Sequence, residues 1–308
     1  MAAVATTAKQ RSRTLGSEGL KEALVGYGFV ALPIVSFLIF FIYPLGYAIY
    51  ISFFDWGALG KIANVGTGNY REAYHDFLFH KALKNTLKYA VVVVPAQMAL
   101  GLAMAVIVNQ IVRFRTFFRA AFYFPSIAGS VAITAVALYI LASDGLVNAG
   151  IGWVKGSPYT HSWFGESSTA LWSIMGLNIW TTSGTMMLFY LASLQAIPTD
   201  VYEAAAIDGA GSWRTFWKIT FPLLKPGHFF VAVLSVIGSL QVFDQAFFVS
   251  NGSGGPNYST MTIVLYLYNT AITSVRFGYA AAIGIILFAI IFILTFIQRF
   301  LFGRAEVA

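Results

Sequence analysis

Cysteine is absent from the 308-residue sequence, so neither a disulfide framework nor a thiolate metal site can form. Histidine occurs four times, at His75, His80, His161 and His228, without the spacing of a metal-ligand set. No glycine-rich loop leads into Lys-Ser or Lys-Thr, no G-x-S-x-G turn presents a nucleophile, and no paired His-Glu motif occurs. Phosphate-loop nucleotide hydrolysis, serine-hydrolase chemistry and zinc hydrolysis therefore lack their residues, and the chain reads as a non-enzyme. Charge is scarce as well. Asp, Glu, Lys and Arg make up 10% of the chain, against about 25% in ordinary soluble domains.

Apolar residues fill that space: 58% of the chain is hydrophobic and 17% aromatic, with a mean hydropathy of +0.73. Uncharged runs cover residues 24–54, 89–112, 120–143, 167–199, 226–243 and 277–298. About 20 apolar residues suffice for a helix to cross roughly 30 Å of hydrocarbon. The runs predict an all-α polytopic membrane protein with six transmembrane helices. The fifth is interrupted by Asp244, but its apolar pattern resumes through Val249, so the helix is extended to there. The uncharged stretch 258–275 contains Asn269, Thr270, Thr273 and Ser274, and reads as an external or re-entrant helix rather than a seventh span.

The net charge of +7 marks topology here, not nucleic acid. With a cytoplasmic amino terminus, twelve basic residues fall inside: Lys9, Arg11, Arg13, Lys21, Arg113, Arg115, Arg119, Arg214, Lys218, Lys225, Arg299 and Arg304. The remaining seven fall in longer outer loops, which is the bias of the positive-inside rule. Both termini are expected in the cytoplasm. The first run, 31 uncharged residues, exceeds a signal h-region of about 7–15 and reads as a retained helix, kinked at Pro33 and Pro44.

The expected organisation is a cytoplasmic segment 1–25, a first span 26–54 and an external loop 55–85 with short helices. A core follows at 86–301, with spans at about 87–112, 119–142, 169–196, 227–249 and 277–300. A loop at 198–226 and a cytoplasmic tail at 302–308 complete it.

Between the fourth and fifth spans lies YEAAAIDGAGSWRTFWKITFPLLKP, residues 202–226. Asp200 followed by Glu203 suggests a capping box for a short helix to about Asp208. Gly209 and Gly211 supply a turn, Ser212 is placed to cap a second helix to about Thr220, and Pro222 to stop it. The result is a helical hairpin with a thin alanine arm and a bulky arm of Trp213, Phe216, Trp217 and Ile219. Amphipathicity alone would let it rest on lipid headgroups.

The order of its residues is more informative. Glu203-Ala204-Ala205, then Asp208-Gly209-Ala210, Phe216, Ile219, Pro222 and Pro226 closely resembles the EAA loop of permease subunits of binding-protein-dependent ABC importers. Phe221 stands where leucine is usual. ALKNT at 82–86, LNIW at 177–180, LQAIP at 194–198 and VFDQAFFVSNGSGGPN at 242–257 extend the resemblance over almost the whole chain. They are similar to the carbohydrate branch, in particular the first permease subunit of maltose-like and glycerol-3-phosphate-like systems.

That resemblance implies the type I importer fold, in the inner membrane of a bacterium. It implies a heterodimer with a second permease subunit, two copies of an ATP-binding subunit that hold ATP and Mg, and an extracytoplasmic solute-binding protein that delivers a sugar or polyol. No cofactor in this chain and no nucleic-acid partner is implied. The hairpin becomes a coupling loop. Glu203 is its polar contact to the ATPase, Ala204 and Ala205 allow close approach, Gly209 shapes the bend, and Ala210, Phe216, Ile219 and Pro222 complete the motif. Asp208 serves either as contact or as a local hydrogen-bonding group.

Polar residues inside spans usually face a bundle interior or cavity. Asn178, Thr181, Thr182 and Thr185 share one side of the fourth span; Gln241, Asp244, Gln245 and Phe248 share one side of the fifth. With Trp180 and Phe243 nearby, they match sugar hydroxyls and apolar ring faces. Asn178, Trp180, Thr182, Gln241, Phe243, Asp244 and Phe248 are therefore the solute-pathway candidates, with hydrogen bonding between helices as the competing use. Gln97, beside Pro95, is expected to bond to backbone freed by the proline. The competing function is an ion-coupled secondary transporter with Asp244 as its coupling site.

Overall fold

The computed structural model describes residues 17–110 and 113–302. Lys9, Arg11, Arg13, Arg304 and most of the expected terminal segments lie outside the described residues. Two compact units divide at Tyr50 and Ile51.

In the first unit, α1 (Ser17–Phe37) passes through a π-helical turn (Leu38–Ile42) into α2 (Tyr43–Ile51). Helix continues through Pro33. The π turn falls just before Pro44, whose missing N–H disrupts the regular bonding ladder, and the Tyr43 N–H reaches back to the Leu38 carbonyl.

The second unit opens with a hairpin of β1 (Phe54–Gly57) and β2 (Gly60–Asn64), paired antiparallel, followed by α3 (Gly68–His75). Asn69 ties these together by donating to the Ser52 and Phe54 carbonyls. The helix α4 (Phe77–Gln110) starts about ten residues before the expected span and carries Lys81, Lys84 and Lys88 in its first turns. Its main partner is α8 (Ala170–Gln195). They approach closely at Gly101, where a Cβ would lie 2.7 Å from the Met186 Cβ.

The third apolar run, expected as one helix, is two. The helices α5 (Arg115–Ile127) and α6 (Ser130–Ile140) are bent by 91° at Ala128 and Gly129, both extended. The adjacent Gly129 and Ser130 are the residue types at which helices break most readily. A short helix α7 (Leu146–Lys155) leads to α8.

The fifth run is also broken. Helix α12 (Lys225–Leu240) ends before Gln241–Phe243, and α13 (Asp244–Ser250) restarts the chain, so Asp244 begins a short helix instead of interrupting a long one. Such a break frees carbonyls, and the buried Thr262 hydroxyl donates to the Val242 carbonyl at 2.9 Å. The stretch after it forms α14 (Ile263–Tyr268) and a π-helical turn (Asn269–Thr273), before α15 (Phe277–Phe302).

Among the described residues four helical segments are long and apolar enough to cross a membrane: Glu22–Ile51, Phe77–Gln110, Lys225–Ser250 and Phe277–Phe302. The bent pair α5 and α6 makes a fifth if it is one span. Helix α8 has 26 residues, ample for a crossing at 1.5 Å per residue, but its row of Asn, Thr and Ser makes it less apolar than these four. The chain is a mostly helical, multi-pass membrane protein.

Candidate functional site

The loop after α8 folds as a helical hairpin. Pro198, in extended geometry, precedes α9 (Thr199–Ile207), which starts without a side-chain cap, so the Asp200–Glu203 capping box does not form. The chain then turns at Gly209, with φ of +73°, a conformation that costs an ordinary residue about 1–2 kcal/mol. Gly211, not Ser212, holds the N-cap position of α10 (Ser212–Thr215). The second arm continues through a π-helical turn (Phe216–Thr220) into α11 (Phe221–Leu223). Pro222 does not stop it: the arm stays helical through the π-helical turn and past Pro222 to Leu223.

Glu203, Ala204, Asp208 and Gly209 are exposed, but Ala205 is turned inward and buried. Ala204 is exposed on the first arm, while Ala205 packs within the chain and Ala206 borders the cavity behind the arm. Ala210, Phe216 and Ile219 are half-buried, and Pro222 is exposed. Ala210 N–H donates to the Ala205 carbonyl, closing the first arm. The base of the hairpin is held by His228, whose ring nitrogens meet the Tyr190 hydroxyl at 3.1 Å and the Phe221 carbonyl at 3.2 Å. A cavity of about 380 Å³ separates the arms from the ends of α4 and α8.

The polar faces do not form one site. Gln97 donates to Asn178 Oδ1 at 2.7 Å and also to the Thr182 hydroxyl. The proline-freed backbone is therefore not its partner, and Asn178 and Thr182 are at least partly spent on the α4–α8 contact. Trp180 points outward. Gln241, Asp244 and Phe248 are exposed, whereas Phe243 packs against the Phe247 and Tyr268 rings. Between α5, α6, α8 and α13 lies a cavity of about 180 Å³, lined by Ser126, Ser130, Thr134, Thr182, Thr185 and Gln245 among others. The bend at Ala128 and Gly129 opens it, and the Ser130 hydroxyl is buried there without a hydrogen-bond partner among the described residues.

At the far end of the span helices, Asp76 accepts from the hydroxyls of Tyr266 and Tyr279 and from the Leu78 N–H. Burial pushes its carboxyl up, but the two hydroxyls and the Leu78 and Phe79 N–H groups outweigh that, leaving it below the ordinary carboxylate value. Glu72 and Arg276 form a bidentate pair at 2.7 Å beside it, which raises the Arg276 pKa.

The family model for the binding-protein-dependent transport system inner membrane component matches residues 97–307, most of the chain and all of the hairpin. The chain belongs to this family. The permease is 34% identical over 279 residues to the probable ABC transporter permease protein YesP of Bacillus subtilis, covering 90% of each chain. It is also 34% identical to the lactose transport system permease protein LacF of Rhizobium radiobacter, over 89% of this chain and 92% of that one. The multiple sugar-binding transport system permease protein MsmF of Streptococcus mutans is 32% identical, over 92% and 96%. In fold, the permease superposes with a TM-score of 0.81 on a chain of a bacterial ABC transporter involved in import of the acidic polysaccharide alginate. That match is 21% identical and covers 94% and 98% of the two chains.

Sequence reasoning missed the Gln97 bridge and the Asp76 cluster. Gln97 was visible as an amide in an otherwise apolar run. The partners of Asp76 lie 190 and 203 residues away, beyond any local pattern.

Proposed function

We propose that this permease is the translocation subunit of an ATP-driven importer for a sugar or related polyol, handed over by an external binding protein. It pairs with a second permease above two ATP-binding subunits, which hold ATP and Mg and perform the hydrolysis. Six spans with both termini in the cytoplasm put the hairpin 198–226 on the cytoplasmic side, where Glu203, Ala204 and Asp208 meet the ATPase. The observation that carries this reading is the hairpin itself: two short arms about a left-handed Gly209, with the acidic residues exposed. Exposed, capable of moving as a unit and anchored at His228, it can transmit ATPase closure to α8 and α12 as levers.

The sugar class draws support from relatives named for lactose, multiple sugars and arabinooligosaccharides. Solute would pass along Asn178, Trp180, Thr182, Gln241, Phe243, Asp244 and Phe248. The hydroxyl-rich cavity beside α8 supports that route, since alcohols and an amide suit a polyhydroxylated solute. Uptake into vesicles loaded with ATP, measured with a protonophore present, tests the reading. Continued uptake is expected, and its collapse would favour ion coupling through Asp244.

A further inference from the structure

A second pocket lies on the other side of the hairpin's bulky arm. It is a groove of about 570 Å³ between the carboxyl-terminal half of α4 and the second arm. One wall is Leu102, Ala103 and Ile107; the other is Trp213, Phe216 and Trp217. From Ala99 to Gln110 the groove runs about 16 Å along α4 at 1.5 Å per residue. That is about the depth of one leaflet's hydrocarbon, half of roughly 30 Å.

Its polarity is graded along that length. Gln110 and Ser212 are the polar lining residues, and both stand at the hairpin end. Trp213 is 76% exposed there and meets Trp217 edge to face at 5.7 Å, as tryptophans do at a headgroup boundary. On the arm Arg214 directly follows Trp213 and Lys218 directly follows Trp217, one helical turn apart. Arg214 and Lys218 are exposed, and neither has an ion-pair partner among the described residues. An apolar slot one leaflet deep, walled by two tryptophans that are each followed by an exposed cation, has the chemistry of a phospholipid site with a surplus negative charge.

We propose that this groove binds one anionic phospholipid of the cytoplasmic leaflet, its acyl chain between α4 and the Trp213–Trp217 arm and its phosphate at Arg214 and Lys218. This rests on the cytoplasmic placement of the hairpin. The lipid would fill the space behind the coupling arm and brace it against α4, so that the arm is held on one side by lipid and presents Glu203 on the other.

The complete importer, with its partner subunits, is purified in mild detergent after equilibration with equimolar phosphatidylglycerol and phosphatidylcholine. Retained lipid is then counted by mass spectrometry of the intact complex. The expected result is one tightly held phosphatidylglycerol at this site, preferred on the order of tenfold for two basic contacts. The double variant Arg214→Ala/Lys218→Ala, altered at exposed side chains, should lose the preference. Ala103→Trp, which fills the groove from the α4 wall, should lose the lipid of either kind. A photo-reactive residue at position 103 should crosslink to lipid. Equal retention of the two lipids by the unaltered complex would overturn the proposal, as would preference unchanged in both variants or a crosslink to a polypeptide. The count does not use ATP hydrolysis, so a hairpin that failed to couple to the ATPase would leave it unaltered and be recognised separately.

Discussion

The Tyr279 hydroxyl donates to Asp76 at 2.6 Å, joining the start of α15 to the residue that introduces α4, 203 positions earlier. Tyr266 bonds to the same carboxylate oxygen. Tyr279→Phe removes a hydrogen bond to a charged acceptor and should destabilise the purified protein by about 1.5–3 kcal/mol, read as a lowered unfolding midpoint. The carboxyl is held below its ordinary value of 3.8. Its stabilising contribution is therefore fully present above that value and is lost as pH falls below it toward the depressed folded pKa. Asp76→Asn should lower stability at neutral pH and flatten the acid limb of a stability–pH curve; an unchanged acid limb would show that another group governs it.

Gly209→Val places a β-branched residue at φ +73°, although no atom lies within 4 Å of where its Cβ would stand. The cost is therefore backbone strain of about 1–2 kcal/mol, not a clash, and it is confined to the bend. The variant should insert normally but lose ATPase subunits on purification, or hydrolyse ATP without moving solute. Ser212→Ala should behave as the unaltered protein, because Ser212 makes no capping bond.

Gly101→Ala tests the α4–α8 crossing. Its Cβ would stand 2.7 Å from the Met186 Cβ and 3.2 Å from Met186 and Met187 backbone atoms, so one helix must shift. A loss of about 1–3 kcal/mol is expected for such overpacking, visible as a lowered melting temperature in detergent.

Gln97→Leu removes the donor shared by Asn178 and Thr182. A loss of about 1–2 kcal/mol is expected for an interhelical bond of this kind in a membrane. The double variant Gln97→Leu/Asn178→Leu should recover part of it, since removing both partners leaves fewer unpaired groups. Additive losses would mean that the bridge contributes no coupling.

Asp244 is exposed at the start of α13, so Asp244→Asn should leave stability unchanged. If the residue lines the solute path, the variant should transport more slowly while basal ATP hydrolysis in the complex stays near normal. Failure of the subunits to assemble would instead assign Asp244 to a contact with the partner permease.

Much of this was legible in one dimension. Hydrocarbon requires long uncharged helices, so the apolar runs announce them, and a left-handed bend requires glycine, so D-G-A announces the hairpin turn at Gly209. What could not be read was set by contacts distant in the chain. The 91° bend at Ala128 and Gly129 and the break at Gln241–Phe243 fall inside stretches whose composition each reads as one span. Hydrophobicity measures whether a residue suits lipid or core, not whether its backbone continues as helix. The Val242 carbonyl can be released because the Thr262 hydroxyl donates to it, and Gln97 can lie in a span because Asn178 and Thr182 meet it. The inward turn of Ala205 likewise follows from packing, which no sequence motif records.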